Sequence, residues 1–216
     1  MKGKLSAEAI VERGLAIGDT EGLEAVTIRR LATELGVTPM ALYWHFKNKD
    51  QLLVGMADHL VAGFAPEGEH DGDWLAGLRA VLVELLAALR RHPCARHLLE
   101  QVDHAAVPSF LRVWDHVLGL ARAGGFTVEE SCLISVYLLQ TAIAFADVPA
   151  HRADRPEVAE QTRLKRLSLE SLPPGRYPNL VAMAGPMAGQ IAPDVYDDFG
   201  VELILGGIAA LAGSRE

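Results

Sequence analysis

Between Thr27 and Leu53 the chain reads TIRRLATELGVTPMALYWHFKNKDQLL, and the side chains there are suited to recognition rather than bond breaking. Thr27 and Thr38 carry hydroxyls, Arg29 a guanidinium, Tyr43, Trp44 and His45 aromatic edges, and Lys49 an ammonium. Such groups hold phosphate oxygens or read base edges in a nucleic-acid groove. Their placement depends on helix ends. Thr27 reads as an N-cap; Ile28, Leu31, Ala32 and Leu35 form an apolar stripe, and Gly36 falls where a helix ends in a left-handed residue. Thr38 caps the next helix and Pro39 takes its first position, where a missing N–H costs nothing. That second helix spans about two turns. Ala41, Leu42 and Phe46 anchor it, leaving Pro39, Met40, Tyr43, Trp44 and His45 facing outward. Asn48 caps a third helix, Gln51 completes a capping box, and Lys49 sits at the first position, where a cation opposes the helix dipole. A lysine there makes sense beside an anion such as a phosphate. The pattern predicts a helix-turn-helix whose second helix docks in a major groove.

Leu5 to Leu60 resembles the DNA-binding domain of the tetracycline-repressor (TetR) family of bacterial regulators. The similarity is carried by Thr27, Arg29, Leu31, Ala32, Leu35-Gly36-Val37-Thr38, Leu42-Tyr43-Trp44-His45-Phe46 and Asn48-Lys49-Asp50 with Leu52. It implies that Thr27, Thr38, Tyr43 and Lys49 hold phosphates, while Arg29, Pro39, Met40, Ala41, Trp44 and His45 face or approach bases. Pro39-Met40-Ala41 offers no amide or guanidinium, so the helix tip reads thymine methyls and Arg29 is the candidate for a bidentate guanine contact. Arg30 points about 100° away from Arg29 and reads as a solvated or phosphate-side charge.

The remainder of the chain is helical as well. An amphipathic helix runs from Ser6 to Asp19, and Phe64 to Asp73 (FAPEGEHDGD) has the composition of a linker. Leucines at helical spacing mark Trp74 to Arg91, and Pro108 to Ala123 forms another helix stopped by Gly124-Gly125. A Thr127/Glu130 capping box opens a helix to Ala146 that is apolar on nearly every side and is expected to be buried all round. The last helix, Val195 to Leu211, carries Phe199, Val201, Leu203, Ile204, Leu205 and Ile208 around Gly206-Gly207. These two helices are expected to pair with their symmetry mates in a homodimeric four-helix bundle, because one reading helix covers only a half-site. Asp198 to Ile208, and Tyr177 to Gln190 before it, resemble the end of tetracycline-repressor-type sensor domains. The resemblance implies a small molecule bound in the body that alters the spacing of two reading heads. The expected architecture is thus all-α: a helix-turn-helix domain over 1–63 built on three helices, a linker over 64–73 and a ligand-sensing and dimerisation domain over 74–216.

Candidate pocket residues are those whose polarity or bulk exceeds the needs of packing: His97, His104, Phe110, Trp114, His116, Tyr137, Gln140, Asp147, Met183 and Met187. Gln140 leads them as a lone amide on an apolar helix. The composition fits an apolar or aromatic effector of unknown identity. An alternative is a metal-responsive regulator using His92, Cys94 and His97, although this spacing matches no closed zinc site. An enzyme is not expected, since the chain has no nucleophile elbow, phosphate loop or H-E-x-x-H pair. No cofactor and no bound metal are expected. Cys94 and Cys132 are expected to be buried small hydrophobes rather than a disulfide. The basic start Met1 to Lys4 runs into Glu8 and Glu12, no apolar stretch reaches membrane length, and the expected location is cytoplasmic without membrane contact.

The 216 residues are 50% hydrophobic and carry a formal charge of −8. Residues 1–62 hold seven Lys or Arg against eight Asp or Glu, about −1, which leaves about −7 for the body. Attraction to DNA is therefore local to Arg29, Arg30, Lys47 and Lys49. Binding to a specific duplex is expected to weaken steeply with salt while random duplex binds feebly, because the acidic body repels it. A salt titration by fluorescence anisotropy checks this; equal affinity for both duplexes would refute the local-patch argument.

Overall fold

The computed structural model describes residues 5–62, 64, 72–146, 156–188 and 193–214. Four helices, one more than the three expected of residues 1–63, come first: α1 (Ala7–Glu21), α2 (Ile28–Leu35), α3 (Pro39–Tyr43) and α4 (Lys49–Val61). They are followed by α5 (Trp74–Arg91), α6 (Ala95–Gln101), α7 (Pro108–Ala123) and α8 (Val128–Ala146). Then come α9 (Pro156–Glu170), α10 (Pro178–Ala182), α11 (Ala184–Ala188) and α12 (Pro193–Gly213). Among the described residues there is no strand, in agreement with the all-α expectation.

Local hydrogen bonding sets these boundaries. Ser6 Oγ accepts from Ala9 N–H, Thr27 Oγ1 from Arg30 N–H and Asn48 Oδ1 from Gln51 N–H, each satisfying a donor that the helix leaves open. Gly36 takes the left-handed conformation (φ 65°), allowing Val37 N–H to reach back to Ala32 O and close α2. The Thr127/Glu130 box forms as read: Glu130 N–H donates to Thr127 Oγ1, and Thr127 N–H donates to Glu130 Oε2. At α4 the box is displaced by one residue. Gln51 Oε1 accepts from Lys47 N–H rather than from the cap residue.

The residues form two compact units, 1–146 with 205–216, and 147–204. In the first, α1 packs on α2 and α4, α2 on α3, α4 on α5, α6 and α7, and α5 on α7 and α8. Ile10, Leu15, Leu31, Leu42, Leu52 and Met56 fill the core around the turn, and Leu78, Leu82, Leu98 and Leu99 continue it. In the second, α9 packs on α10 and α11. Helices α6, α9, α10 and α11 have no counterpart among the helices expected from the sequence. Helix α6 is seven residues long and follows Pro93; α9 carries a charged run with no buried side chain among those described.

Three expectations need correction. Within one chain α8 is not buried all round: Ile134, Leu138 and Ala142 are buried, but Leu133 and Tyr137 are 54% and 60% exposed. Among the described residues nothing buries that side. Cys132 shares this exposure, whereas Cys94 is buried as read. By length and composition α8 could also cross a membrane, contrary to the reading that no stretch is long enough. Its packing on α5 and α7, and its Ser131, Ser135 and Gln140, give it a place in the helical body instead.

Gly36→Ala is expected to destabilise the protein by about 1–2 kcal/mol, because a Cβ disfavours the left-handed region. Gly36→Asn should cost less. Urea denaturation at fixed protein concentration measures both.

Candidate functional site

The reading head is organised around a five-residue helix. Thr38 Oγ1 accepts from Ala41 N–H at 3.4 Å, and Leu42 and Phe46 are buried beneath α3. On the other side Met40 is 67% and Trp44 79% exposed, Tyr43 is also exposed, and Pro39 and His45 join them; Ala41 is half-buried. Burial of Leu42 and Phe46 forces the aromatics outward, as the spacing required. The helix is shorter than the expected two turns, since Trp44 is its C-cap.

The flanking cations differ in their commitments. Arg30 is held by Glu21 at 2.8 Å and Glu34 at 3.0 Å, a structural clamp between α1 and α2. The Arg29 side chain is exposed and meets no acceptor among the described residues. Lys49 Nζ donates to Leu23 O at 3.4 Å and lies 3.8 Å from Glu24. Those long contacts on a partly exposed ammonium are weak enough for a phosphate to replace them. Thr27 and Thr38 use their oxygens as caps, so only their O–H hydrogens remain to donate to a ligand.

A second feature lies in the helical body. Val81 and Leu85 of α5, His104 in the turn before α7, Phe110, Val113, Trp114 and Val117 of α7, and Ser135, Val136, Leu138, Leu139 and Gln140 of α8 line a half-open cavity. An aromatic ladder forms one wall. His104 stacks on Phe110 at 4.3 Å, Phe110 meets Trp114 edge-on at 5.9 Å, and Trp114 Nε1–H donates to Ser135 Oγ at 3.0 Å. His104 Nε2 lies 2.8 Å from Leu99 O, a carbonyl that can only accept, so this nitrogen carries the proton.

Of the ten pocket candidates, the structure brings together His104, Phe110, Trp114 and Gln140. His97 is exposed on α6 with Glu100 3.6 Å away, and His116 is half-buried outside the cavity lining. Tyr137 lies on the exposed side of α8, Met183 and Met187 are exposed, and Asp147 lies outside the described residues. Ser135 and the aliphatic lining were missed. The spacing Phe110, Val113, Trp114, Val117 on one face of α7 was the signal for that wall.

His92, Cys94 and His97 do not converge on a common point. His92 Nδ1 pairs with Asp19 at 2.8 Å, Cys94 N–H donates to Asp19 Oδ1, the Cys94 thiol is turned to Leu15 O at 3.9 Å, and His97 faces solvent. The described residues hold no group of three or more potential ligands placed for a metal. The metal-responsive alternative therefore has no site here.

A short capped reading helix with exposed aromatics, joined to a helical body with an apolar cavity, defines a helix-turn-helix DNA-binding regulator. Residues 6–56 match the family described as bacterial regulatory proteins, tetR family, and residues 65–212 match the tetracyclin repressor-like C-terminal domain. The chain belongs to the tetR family. It is similar to the HTH-type transcriptional repressor DrrR1 of Streptomyces coeruleorubidus, with 32% identity across 99% of this chain and 81% of that one. Tetracycline repressor protein class C of Escherichia coli is 28% identical across 95% and 91% of the two chains. The crystal structure of the Streptomyces coelicolor TetR family protein ActR in complex with actinorhodin superposes with a TM-score of 0.79 at 29% identity, covering 99% of this chain and 100% of that one.

Burial, and Asp19 beside it, push the Cys94 thiol from 9.0 up to about 12. Between these values an unfolded chain releases a proton that the native protein keeps, so stability falls as pH rises through that window. Urea midpoints from pH 8 to 11 should decline, and Cys94→Ala should flatten the decline relative to wild type.

Proposed function

We propose that this protein binds a palindromic operator as a homodimer and represses by occluding a promoter, with an apolar, aromatic small molecule in the body cavity releasing it. The observation that carries the reading is the outward-facing Met40, Tyr43 and Trp44 on a helix whose other face is pinned by Leu42 and Phe46. In this reading Thr27, Thr38, Tyr43 and Lys49 donate to phosphates, and Arg29, Pro39, Met40, Ala41, Trp44 and His45 meet the bases. Residues 1–63 serve as the reading domain, 64–73 as linker and 74–216 as sensor and dimerisation domain.

The exposed side of α8 supports the dimer. Leu133 and Tyr137 there leave apolar surface that a second copy would cover. The His104–Phe110–Trp114 ladder supports a planar effector, because stacked and edge-on rings offer faces to another aromatic. That ActR was crystallised in complex with actinorhodin supports a small-molecule effector here. A ligand that favours the DNA-incompetent arrangement releases DNA by that same preference.

Fluorescence anisotropy on DNA from the protein's own promoter region, against scrambled duplex, tests the reading. Tyr43→Ala should weaken binding, Lys49→Ala should weaken it on every sequence and lower the salt slope by about one, and Arg29→Ala should cost about 1–3 kcal/mol and relax specificity. Equal, feeble binding of both duplexes by the wild type would overturn the proposal.

A further inference from the structure

Helix α7 starts without a cap of its own. Val107 at the N-cap position offers no side-chain acceptor and Pro108 has no N–H, so Ser109 supplies the first backbone donor needing a partner. The partner comes from 51 residues upstream: Asp58 Oδ1 of α4 accepts the Ser109 N–H at 2.7 Å. A carboxylate at a helix N-terminus meets the positive end of the dipole through a charge-assisted hydrogen bond, and this one is short. Ser109 is fully buried, and its Oγ is engaged by Arg112 at 2.8 Å.

Each end of this contact leads to a functional feature. Asp58 lies on the helix that begins at Lys49, immediately after the recognition helix and its turn. The residue after Ser109 is Phe110, which lines the cavity and stacks on His104. We infer that Asp58 is a positioning residue that couples the cavity to the reading head through its capping hydrogen bond to Ser109. The inference rests on the proposed function. A ligand that displaces Phe110 by about 1 Å carries the adjacent amide beyond hydrogen-bond range unless α4 follows. The joint at Asp19 differs. It grips His92 and the Cys94 N–H, neither of which lines the cavity, so it holds α1 whatever the cavity contains.

Coupling is reciprocal, so DNA must alter the first turns of α7 if those turns control DNA binding. The test is amide hydrogen exchange of the full-length dimer, alone and bound to a duplex the protein itself selects from random-sequence DNA. In the wild type, exchange over residues 109–117 should change by about fivefold or more on DNA binding. Asp58→Asn, which keeps an acceptor oxygen, and Asp19→Asn should retain the response. Asp58→Ala should lose it while still binding the duplex. A purely structural role would shift exchange equally with and without DNA and leave the ratio intact. If Asp58→Ala does not fold, Ser109→Pro deletes the same hydrogen bond from the donor side and should abolish the response. Persistence of the response in the variant lacking the bond, or its absence in the wild type, overturns the inference alone. Failure to select any duplex overturns the proposed function and this inference with it.

Discussion

A helix of five residues cannot hold its own shape, because nucleation fixes several residues before hydrogen bonds repay that cost. Everything near α3 answers this constraint. Thr38 supplies an acceptor, Pro39 preorganises the first turn, Gly36 lets the chain turn tightly out of α2, and buried Leu42 and Phe46 fix which face is hidden. The recognition surface is the complement of that anchoring. Trp44 and Met40 are exposed because the core has already taken the other side of the helix.

Anchoring continues into the body through carboxylates on the head's own helices. Asp19 and Asp58 each accept a backbone N–H from a later segment, at Cys94 and at Ser109. These bonds are directional where apolar packing is not, so they define an orientation as well as an affinity between neighbouring helices. The glycine at position 18 completes the first joint, since a Cβ there would lie 2.9 Å from Cys94 Sγ.

The caps at Thr27, Thr38, Asn48 and Thr127, and the stop at Gly36, were legible because each is settled by side chains within a few residues of the helix end. The outward aromatics were legible too, from the i, i+4 pair Leu42 and Phe46. Four of the pocket residues could be read from surplus polarity or bulk, but Ser135 could not: an isolated serine gives no local sign that an indole 21 residues earlier will donate to it. Helix α9 escaped because its charged sequence buries little. For α8, composition reported an apolar surface without saying whether a neighbour in the same chain or a second copy covers it. The hydrogen bond from Ser109 to Asp58 joins residues whose neighbours in sequence say nothing about each other.

The exposed side of α8 also has a genetic meaning. In the proposed dimer the exposed apolar residues of α8, Leu133 and Tyr137 among them, belong to a different part of the chain from the exposed residues of α3 proposed to face DNA. A protomer damaged at Tyr43 or Trp44 therefore keeps its capacity to associate. In a cell expressing both alleles it joins intact protomers and withdraws them into dimers with a single working head, which makes such alleles dominant over the wild type. Alleles that spoil the α8 face instead remove only themselves, and are recessive.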